Sequence, residues 1–248
     1  MATDYSITAY FGRNLAELLS DKILLNYAEF NRNEFCVMIE SEVEGKAYTQ
    51  RIEIIARRLE EYLPDSYEQS LEIILSILGP ENPNETGMFK HFYWIMPLGK
   101  FIELFGLNNF DASMQAIEEI TKRNTGEYAI RPYIRMYPND CLKIIREWAV
   151  SDNFHLRRLA SEGLRPKLPW SPKLDTFIHN PNPVFDILEL LKEDPVMFVK
   201  KSVANHLTDW LKVNPDPTIA LLKKWNSSDN IHTKWIIKRA TRKIKIEL

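Results

Sequence analysis

The sequence is poor in glycine and cysteine and contains no long apolar run. Only 8 of its 248 residues are glycine and 2 are cysteine. Cys36 and Cys141 match neither a zinc nor a redox spacing, so we expect both to be buried as small hydrophobic residues. No stretch approaches the roughly 18 apolar residues of a membrane span. The segment from Met1 to Asn14 lacks the apolar run and positive cluster of a signal peptide. We therefore expect a cytoplasmic protein with no membrane contact.

Several catalytic signatures are missing as well. There is no glycine-rich phosphate loop, no Gly-x-Ser-x-Gly nucleophile elbow and no Cys–His nucleophile signature. His91, His179 and His206 do not have the spacing of metal ligands. We therefore expect neither a metal nor another cofactor.

Charge is distributed unevenly along the chain. Residues 1–119 contain 9 Lys and Arg against 20 Asp and Glu, whereas residues 120–248 contain 23 against 14. The formal net charge of −2 therefore hides an acidic first part and a basic second part. A basic half on an acidic protein favours a polyanionic partner such as nucleic acid, although chance segregation of solvated charge is the alternative.

Helical periodicity dominates, and no set of alternating strands is found. Apolar residues recur at the i, i+3, i+4, i+7 spacing of a helix face in two clear cases. These are Leu71, Ile74, Leu75 and Leu78, and then Leu142, Ile145, Trp148 and Ala149. Pro138, Pro183 and Pro215 each precede a helical pattern, whereas Pro97 should kink or split a helix over Phe92–Phe105. We predict an all-α fold in one repeat domain over residues 1–248, acidic in 1–119 and basic in 120–248.

The second half of the chain repeats itself. Residues 138–157 (PNDCLKIIREWAVSDNFHLR) match residues 215–234 (PDPTIALLKKWNSSDNIHTK) at a constant offset of 77. A looser copy over residues 183–201 lies at an offset of 43. His155 and His232 share one repeat position, so we expect turn or capping residues there. Units of about 40 residues with two helices each are typical of HEAT-like repeats, which stack into a solenoid (α-α superhelix).

The second helix of each unit is basic. Stacked repeats place equivalent helices side by side, so these charges predict a concave basic groove that fits a DNA duplex. The predicted DNA-binding residues are Arg157, Arg158, Arg165, Lys200, Lys201, Asn205, Lys234, Lys238, Arg239 and Arg242. The third repeat ends in the basic run KRATRKIKIEL, so we expect DNA contact to be redistributed toward that end.

The segment HLRRLASEGLRPKLPW (155–170) is the most informative for chemistry. Arg158 and Glu162 share a helix face, and Gly163 and Pro166 place Glu162 near the helix end. A carboxylate between Arg158 and Arg165 stays ionised and, with Trp170 in the following loop, could stabilise a cationic base and sugar. The alternative for Glu162 is a salt bridge to Arg158 without a catalytic role.

Two further acids are weaker candidates. Lys201, Asn205 and Asp209 are spaced by four on one helix, so Asp209 is either a second carboxylate in the groove or part of a surface ladder. Glu127 is either an acid of the same pocket or a charge that complements a helix N-terminus.

The runs RPYIRMYPND (131–140), RRLASEGLRPKLPW (157–170) and DPVMFVKKSVANHLTDW (194–210) resemble the AlkC branch of the AlkC/AlkD DNA alkylation-repair glycosylases. The likeness extends over about residues 89–244, and it implies a HEAT-like helical solenoid. It also implies excision of cationic N-alkylated bases from double-stranded DNA, above all 3-methyladenine, and in this branch also 3-methylcytosine and 1-methyladenine.

Carried onto this sequence, the resemblance implies that Glu162 is the catalytic carboxylate and that Glu127 and Asp209 support it. Trp170 would contact the lesion and Arg158 the DNA backbone. No immunoglobulin-like domain follows the repeats before Leu248, so we expect the short form of the branch, acting as a monomer.

Two other hypotheses remain open at this point. A non-catalytic solenoid that binds distorted or branched DNA would use the same basic groove. A protein-binding HEAT-like adaptor predicts an exposed apolar groove, so the inner-helix lysines and arginines count against it.

Overall fold

The computed structural model describes residues 6–87, 89–244 and 246–247, and all regular structure in these residues is helical. The all-α prediction is therefore confirmed. Residues 1–5, part of the segment predicted to lack a signal peptide, lie outside the described residues. Lys245 of the basic C-terminal run lies outside them too.

The chain divides into two compact units. The first contains Met1–Asn82 and Gly87–Thr125, and the second contains Pro83–Thr86 and Gly126–Leu248. The second unit begins close to the point at which the charge of the sequence changes sign. That the chain acts as a single repeat domain remains a prediction.

Within its described residues, the first unit is built from seven α-helices. They are α1 (Arg13–Ile23), α2 (Arg32–Glu42), α3 (Tyr48–Tyr62), α4 (Tyr67–Ser76), α5 (Phe89–Phe92), α6 (Met96–Phe105) and α7 (Phe110–Thr121). Pro97 divides the apolar segment as predicted, because a 3-10 turn over Tyr93–Ile95 separates α5 from α6. Pro97 then occupies the second position of α6, where its missing N–H costs no hydrogen bond.

The described part of the second unit is built from the next seven helices. They are α8 (Ile130–Met136), α9 (Pro138–Ala149), α10 (Phe154–Glu162), α11 (Asn182–Leu191), α12 (Met197–Val213), α13 (Pro215–Asn226) and α14 (Ile231–Thr241). The starts of α10, α12 and α14 reproduce the predicted offsets of 43 and 77. The internal repeat is therefore a structural one.

Equivalent helices of the second unit pack side by side. Helix α10 packs against α12 and α12 packs against α14, whereas α9 packs against α11. This is the arrangement expected of stacked two-helix repeats. It brings the residues that follow Asn153, Val196 and Asn230 onto neighbouring helices of one layer.

Each repeat turns between its two helices by the same device. The side chains of Ser151, Asp194 and Ser228 each accept a hydrogen bond from the backbone N–H two residues later. In the first and third copies the residue that donates this N–H is Asn153 or Asn230. Its side-chain oxygen caps the second helix by accepting a hydrogen bond from the backbone N–H of the histidine two residues later. The recurring Ser-Asp-Asn-x-His motif therefore encodes a turn and a helix cap. The asparagine is the cap, whereas the histidine, predicted to be a turn or capping residue, is the second residue of the helix.

Aromatic and apolar residues fill the interior of the repeats. Trp148, Trp210 and Trp225 are almost fully buried, and both cysteines are buried and unpaired, as predicted. Within the described part of the chain, no helix combines the length and the apolar character needed to cross a membrane.

Candidate active site and nucleic-acid surface

Three acids and two arginines of the second unit alternate in one chain of ion pairs, which we call the acid–arginine cluster. Its members are Glu127, Arg158, Glu162, Arg165 and Asp209. Glu162, the last residue of α10, lies at the centre, with its Oε1 atom 2.5 Å from Nη1 of Arg165 and 3.6 Å from Nη2 of Arg158. The helical spacing of three and four residues brings both arginines to it, where the sequence predicts them.

The two other acids pair with the same two arginines. Oε2 of Glu127, in the turn before α8, is 2.6 Å from Nη2 of Arg158. Oδ2 of Asp209, on α12, is 2.7 Å from Nη2 and 2.8 Å from Nε of Arg165. Packing of α10 against α12 thus joins residues that lie far apart in the sequence. Three carboxylates against two guanidinium groups leave the cluster with one excess negative charge.

Ser202 completes the surroundings of Glu162. Its Oγ atom donates a hydrogen bond of 2.5 Å to Oε2 of Glu162, so both carboxylate oxygens have partners. The sequence did not single out Ser202, because a serine on a helix has no signature of a carboxylate contact across two repeats. The side chain of Glu162 is only 7% exposed, which makes these partners necessary for its charge.

The environment separates the proton affinities of the two best-placed acids. Burial acts to raise the pKa of Glu162, but the charges of Arg158 and Arg165 and the Ser202 hydrogen bond outweigh it and hold that pKa below its usual range. Burial raises the pKa of Asp209, and Arg165 offsets this only in part. Glu162 is therefore the more firmly ionised acid and Asp209 is the more basic one.

Asp209 also has a carboxylate oxygen to spare. Arg165 contacts its Oδ2 atom, and among the described residues no hydrogen-bond or ion-pair partner reaches Oδ1. A carboxylate with a raised pKa and an unused oxygen can bind a water molecule and accept its proton. Glu162, with both oxygens engaged, is suited instead to act as a fixed negative charge.

Trp170 lies at the tip of the loop after α10 with its side chain turned to solvent. The residue is 76% exposed, and its φ angle of 59° lies in the left-handed region, which costs an L-residue about 1–2 kcal/mol. Two backbone hydrogen bonds close residues 166–174, which we call the Trp170 loop: Leu174 N–H to Pro166 and Ser171 N–H to Leu168. An exposed aromatic ring on a closed loop is typical of a contact residue.

Besides Arg165, which pairs with Asp209 on α12, two more of the predicted DNA-binding cations are engaged between repeats. Arg157 bonds to Asp194 in the turn of the next repeat through Nε and Oδ2, 2.6 Å apart, and its Nη1 atom donates to two backbone carbonyls. Lys200, at the equivalent position of α12, is buried with its Nζ atom 3.2 Å from Nδ1 of His232. The basic surface is therefore less continuous than the sequence predicts, because this helix position faces the neighbouring repeat.

The remaining cations of α12 and α14 lie nearer to solvent. Lys201 and Lys238 are exposed, and no carboxylate within the described ranges lies within ion-pair distance of either. Lys234 is exposed and pairs with Asp229 at 2.8 Å. The other candidates are Arg242, which is exposed, and Asn205 and Arg239, which are half-buried. That these residues form one surface for DNA remains a prediction.

A residue that the sequence placed only in a family motif links these parts. Arg131 of α8 is 1% exposed and donates hydrogen bonds to the backbone carbonyls of Gly163 and Arg165, which follow Glu162, and of Pro172, two residues after Trp170. Backbone carbonyls carry no sequence signature, so only the fold reveals this contact. In the described residues, no group of three or more His, Cys, Asp or Glu is placed to hold a metal ion.

Comparison with known proteins gives two strong likenesses. The chain is 31% identical over 233 residues to the "Uncharacterized protein YhaZ" of Bacillus subtilis (strain 168), covering 94% of this chain and 62% of that protein. The solved structure of the Pseudomonas fluorescens alkylpurine DNA glycosylase AlkC, bound to DNA containing an abasic site analog, superposes with a TM-score of 0.85 at 29% identity. That match covers 96% of this chain and 64% of the AlkC chain.

The chain thus spans less than two thirds of the length of each of these relatives. The likeness to AlkC nonetheless covers nearly all of this chain, and it confirms the resemblance predicted from the motifs. A family model described as "DNA alkylation repair enzyme" matches residues 113–244, which contain every member of the acid–arginine cluster and Trp170. The chain belongs to the family of DNA alkylation repair enzymes.

Proposed function

We propose that this chain is a DNA glycosylase that excises cationic N-alkylated bases from duplex DNA. The observation that carries the proposal is a buried, ionised Glu162 between two arginines, next to the more basic Asp209, on a chain similar to an alkylpurine DNA glycosylase. The expected substrates are 3-methyladenine and, as further candidates, 3-methylcytosine and 1-methyladenine.

The chemistry of these bases explains the absence of a leaving-group acid from the proposal. A base alkylated at a ring nitrogen already carries a positive charge. When the bond between the base and C1′ of the sugar breaks, the bonding electron pair neutralises the base, which leaves without protonation. The protein then has to stabilise the positive charge that develops on the sugar and to supply water to C1′.

Glu162 provides the fixed negative charge in this proposal. Two opposite charges about 5 Å apart attract by about 3 kcal/mol at an effective dielectric constant of about 20. Because Arg158, Arg165 and Ser202 hold the carboxylate in place before substrate arrives, none of this interaction is spent on reorienting it. Glu127 contributes by holding Arg158.

Asp209 provides the base. Its Oδ1 atom would bind the attacking water and accept a proton as the water oxygen bonds to C1′, after which the proton passes to solvent. The raised pKa of Asp209 makes it a better proton acceptor than Glu162. This assignment differs from the sequence prediction, which gave Glu162 the leading catalytic role and Asp209 a supporting one.

Trp170 would lie against the lesion. Its exposed ring offers a π face to a positively charged base, and such a cation–π contact contributes about 1–2 kcal/mol when water is excluded. Neutral bases would lack that contribution. The DNA backbone would lie along the exposed cations of α12 and α14, where counterion release supplies sequence-independent affinity.

The experiment that tests the proposal compares Glu162→Gln and Asp209→Asn with the natural chain on duplex DNA that contains 3-methyladenine. Each variant should slow single-turnover release of the base by roughly 100-fold or more, and affinity for undamaged DNA should persist. Glu189→Gln is the matched control, because Glu189 is a half-buried, ion-paired carboxylate with a lowered pKa, like that of Glu162, but lies on α11 outside the cluster.

Each failure has a distinct meaning. If the natural chain binds DNA but releases no base, the chain is the non-catalytic DNA-binding protein of the alternative hypothesis. If the natural chain is active and both variants retain full activity while folded, the cluster is structural and the catalytic acid lies elsewhere.

A further inference from the structure

The side chain of Arg131 is buried among backbone carbonyls instead of carboxylates. Its Nη1 atom donates to the carbonyls of Gly163 at 3.4 Å and Arg165 at 2.9 Å, and its Nη2 atom donates to that of Pro172 at 2.7 Å. Burial lowers the pKa of Arg131 to about 10. No carboxylate of the described residues lies within ion-pair distance of it, so these carbonyls are the main compensation for a desolvated charge.

The three carbonyls belong to two different parts of the candidate site. Those of Gly163 and Arg165 directly follow α10, where helical carbonyls lack partners within the helix. The carbonyl of Gly163 belongs to the residue that follows Glu162. The carbonyl of Arg165 belongs to the residue whose side chain bridges Glu162 and Asp209. The carbonyl of Pro172 lies in the part of the Trp170 loop that follows Trp170. One guanidinium group thus ties the acid–arginine cluster to that loop.

Arg135, one turn later on α8, adds a second tie to the loop alone. Its Nη2 atom lies 3.4 Å from the carbonyl of Pro172 and 3.2 Å from that of Lys173. The residue is exposed, so it carries no desolvation burden. Arg131 and Arg135, both on α8, therefore contact the part of the loop that follows Trp170.

We propose that Arg131 and Arg135 are positioning residues that fix Trp170 relative to Glu162 and Asp209 before DNA binds. The inference rests on the proposed function, because it gives Trp170 the role of contacting the lesion. Trp170 combines an exposed ring with left-handed backbone geometry, an arrangement that surrounding contacts must maintain. The arginine fork supplies such contacts at the base of the loop.

Guanidinium geometry suits this task better than an ammonium group does. The planar fork of Arg131 directs two nitrogens to acceptors in different segments, whereas the single head of a lysine would have to choose between them. A fixed distance between the loop and the acids matters, because displacement of a reacting group by about 1 Å can slow an enzyme by about 100-fold.

The first test measures the position of the loop without reference to catalysis. Lys167 and Lys173 are exposed and flank Trp170, so trypsin cleavage after them reports how firmly the loop is held. Arg135→Gln should accelerate this cleavage several-fold at unchanged global stability. The matched control is Arg146→Gln, an exposed arginine on α9, which should cleave as the natural chain does. Equal cleavage of both variants overturns the proposal.

The second test measures the coupling to Trp170 by a double-mutant cycle on 3-methyladenine release. Arg135→Gln should slow single-turnover release about tenfold in the natural chain but by less than about twofold in a Trp170→Ala background. Arg135→Lys, which retains one donor group, should recover part of the loss. Equal slowing in both backgrounds shows that Arg135 does not act through Trp170 and overturns the proposal.

Arg131→Gln extends the cycle to the buried residue, and the exposed Arg135 keeps the test decisive if Arg131→Gln does not fold. The two tests also separate this proposal from the proposed function. If the natural chain releases no base, the proposed function is wrong. The trypsin test still shows whether Arg131 and Arg135 hold the Trp170 loop in place.

Discussion

Removal of Arg165 should strongly destabilise this fold, because Arg165 is the shared counter-ion of Glu162 and Asp209. Its Nη1 atom is 2.5 Å from Glu162 and its Nη2 atom is 2.7 Å from Asp209, and its own side chain is 11% exposed. Two charges about 4 Å apart attract by about 4 kcal/mol at an effective dielectric constant of about 20. Desolvation of all three groups cancels much of this gain in the intact cluster.

In Arg165→Met the gain disappears and the desolvation of the acids remains. Glu162 keeps Arg158 and Ser202, but Asp209 retains no ion-pair partner among the described residues. We therefore predict a loss of about 3–5 kcal/mol in the free energy of unfolding at neutral pH, the range for breaking one side of a buried ion pair. Lys143→Met, which removes one side of an exposed pair with Asp140, should have no measurable effect.

The pH dependence of the stability loss provides a second test of this prediction. Without Arg165, the folded-state pKa of Asp209, already raised by burial, rises further above its unfolded value. A raised acid pKa makes stability fall as pH rises through the interval between the unfolded and folded values. The deficit of the variant should therefore be largest at about pH 7 and shrink toward about pH 4.

Urea unfolding followed by tryptophan fluorescence measures this loss. Trp94 is the one tryptophan of the sequence outside residues 126–248, so the signal reports mainly on the unit that contains the cluster. A loss below about 1 kcal/mol, the value of an exposed pair, would show that Arg165 is not the essential counter-ion of Glu162 and Asp209. A loss that grows toward acid pH would show the same.

Three further predictions concern packing, histidine burial and DNA contact. Gly163→Ala should destabilise the second unit by about 1–2 kcal/mol in urea unfolding, because its new Cβ would lie 3.0 Å from Cγ2 of Ile130, an overpacked contact; unchanged stability would show that α8 yields freely. Burial lowers the pKa of His206 well below 6.5, so below about pH 6.5 the unfolded chain binds a proton that the folded chain does not. The free energy of unfolding should therefore fall by up to about 1.4 kcal/mol per pH unit as the pH drops below about 6.5. His206→Gln should flatten that part of the stability curve, and an unchanged curve would contradict the assignment. Lys201→Glu and Lys238→Glu should each weaken binding to all DNA sequences and reduce the salt dependence by about one unit, whereas the same change at Lys223 on α13, outside the predicted surface, should leave the slope unchanged.

Local signals in the sequence were sufficient to predict the repeat architecture. Pro138 and Pro215 open helices because their fixed φ suits a first helical position, and Asn153 and Asn230 cap the next helices through side-chain oxygens. These effects act within a few residues, so they can be read before the chain is folded. The cluster of Arg158, Glu162 and Arg165 was predictable for the same reason.

Contacts between repeats were harder to predict. Arg157 belongs to a basic run in the sequence, yet its partner Asp194 lies in the next repeat, and Lys200 reaches His232 in the same way. Such pairings depend on how one helix packs over the following turn, which no spacing within a helix reveals. The backbone carbonyls that bind Arg131 are available at every residue, so their use by one buried arginine becomes visible only in the fold.

The proposed function requires this chain to break the bond between a cationic alkylated base and its sugar. The most direct measurement is the single-turnover release of 3-methyladenine from duplex DNA by the natural chain in excess, against spontaneous loss of the base from the same DNA alone. We predict release far faster than the spontaneous loss, with abasic DNA as the second product. Release at the spontaneous rate from DNA that the protein demonstrably binds would rule out the proposed glycosylase activity and leave a DNA-binding repeat protein.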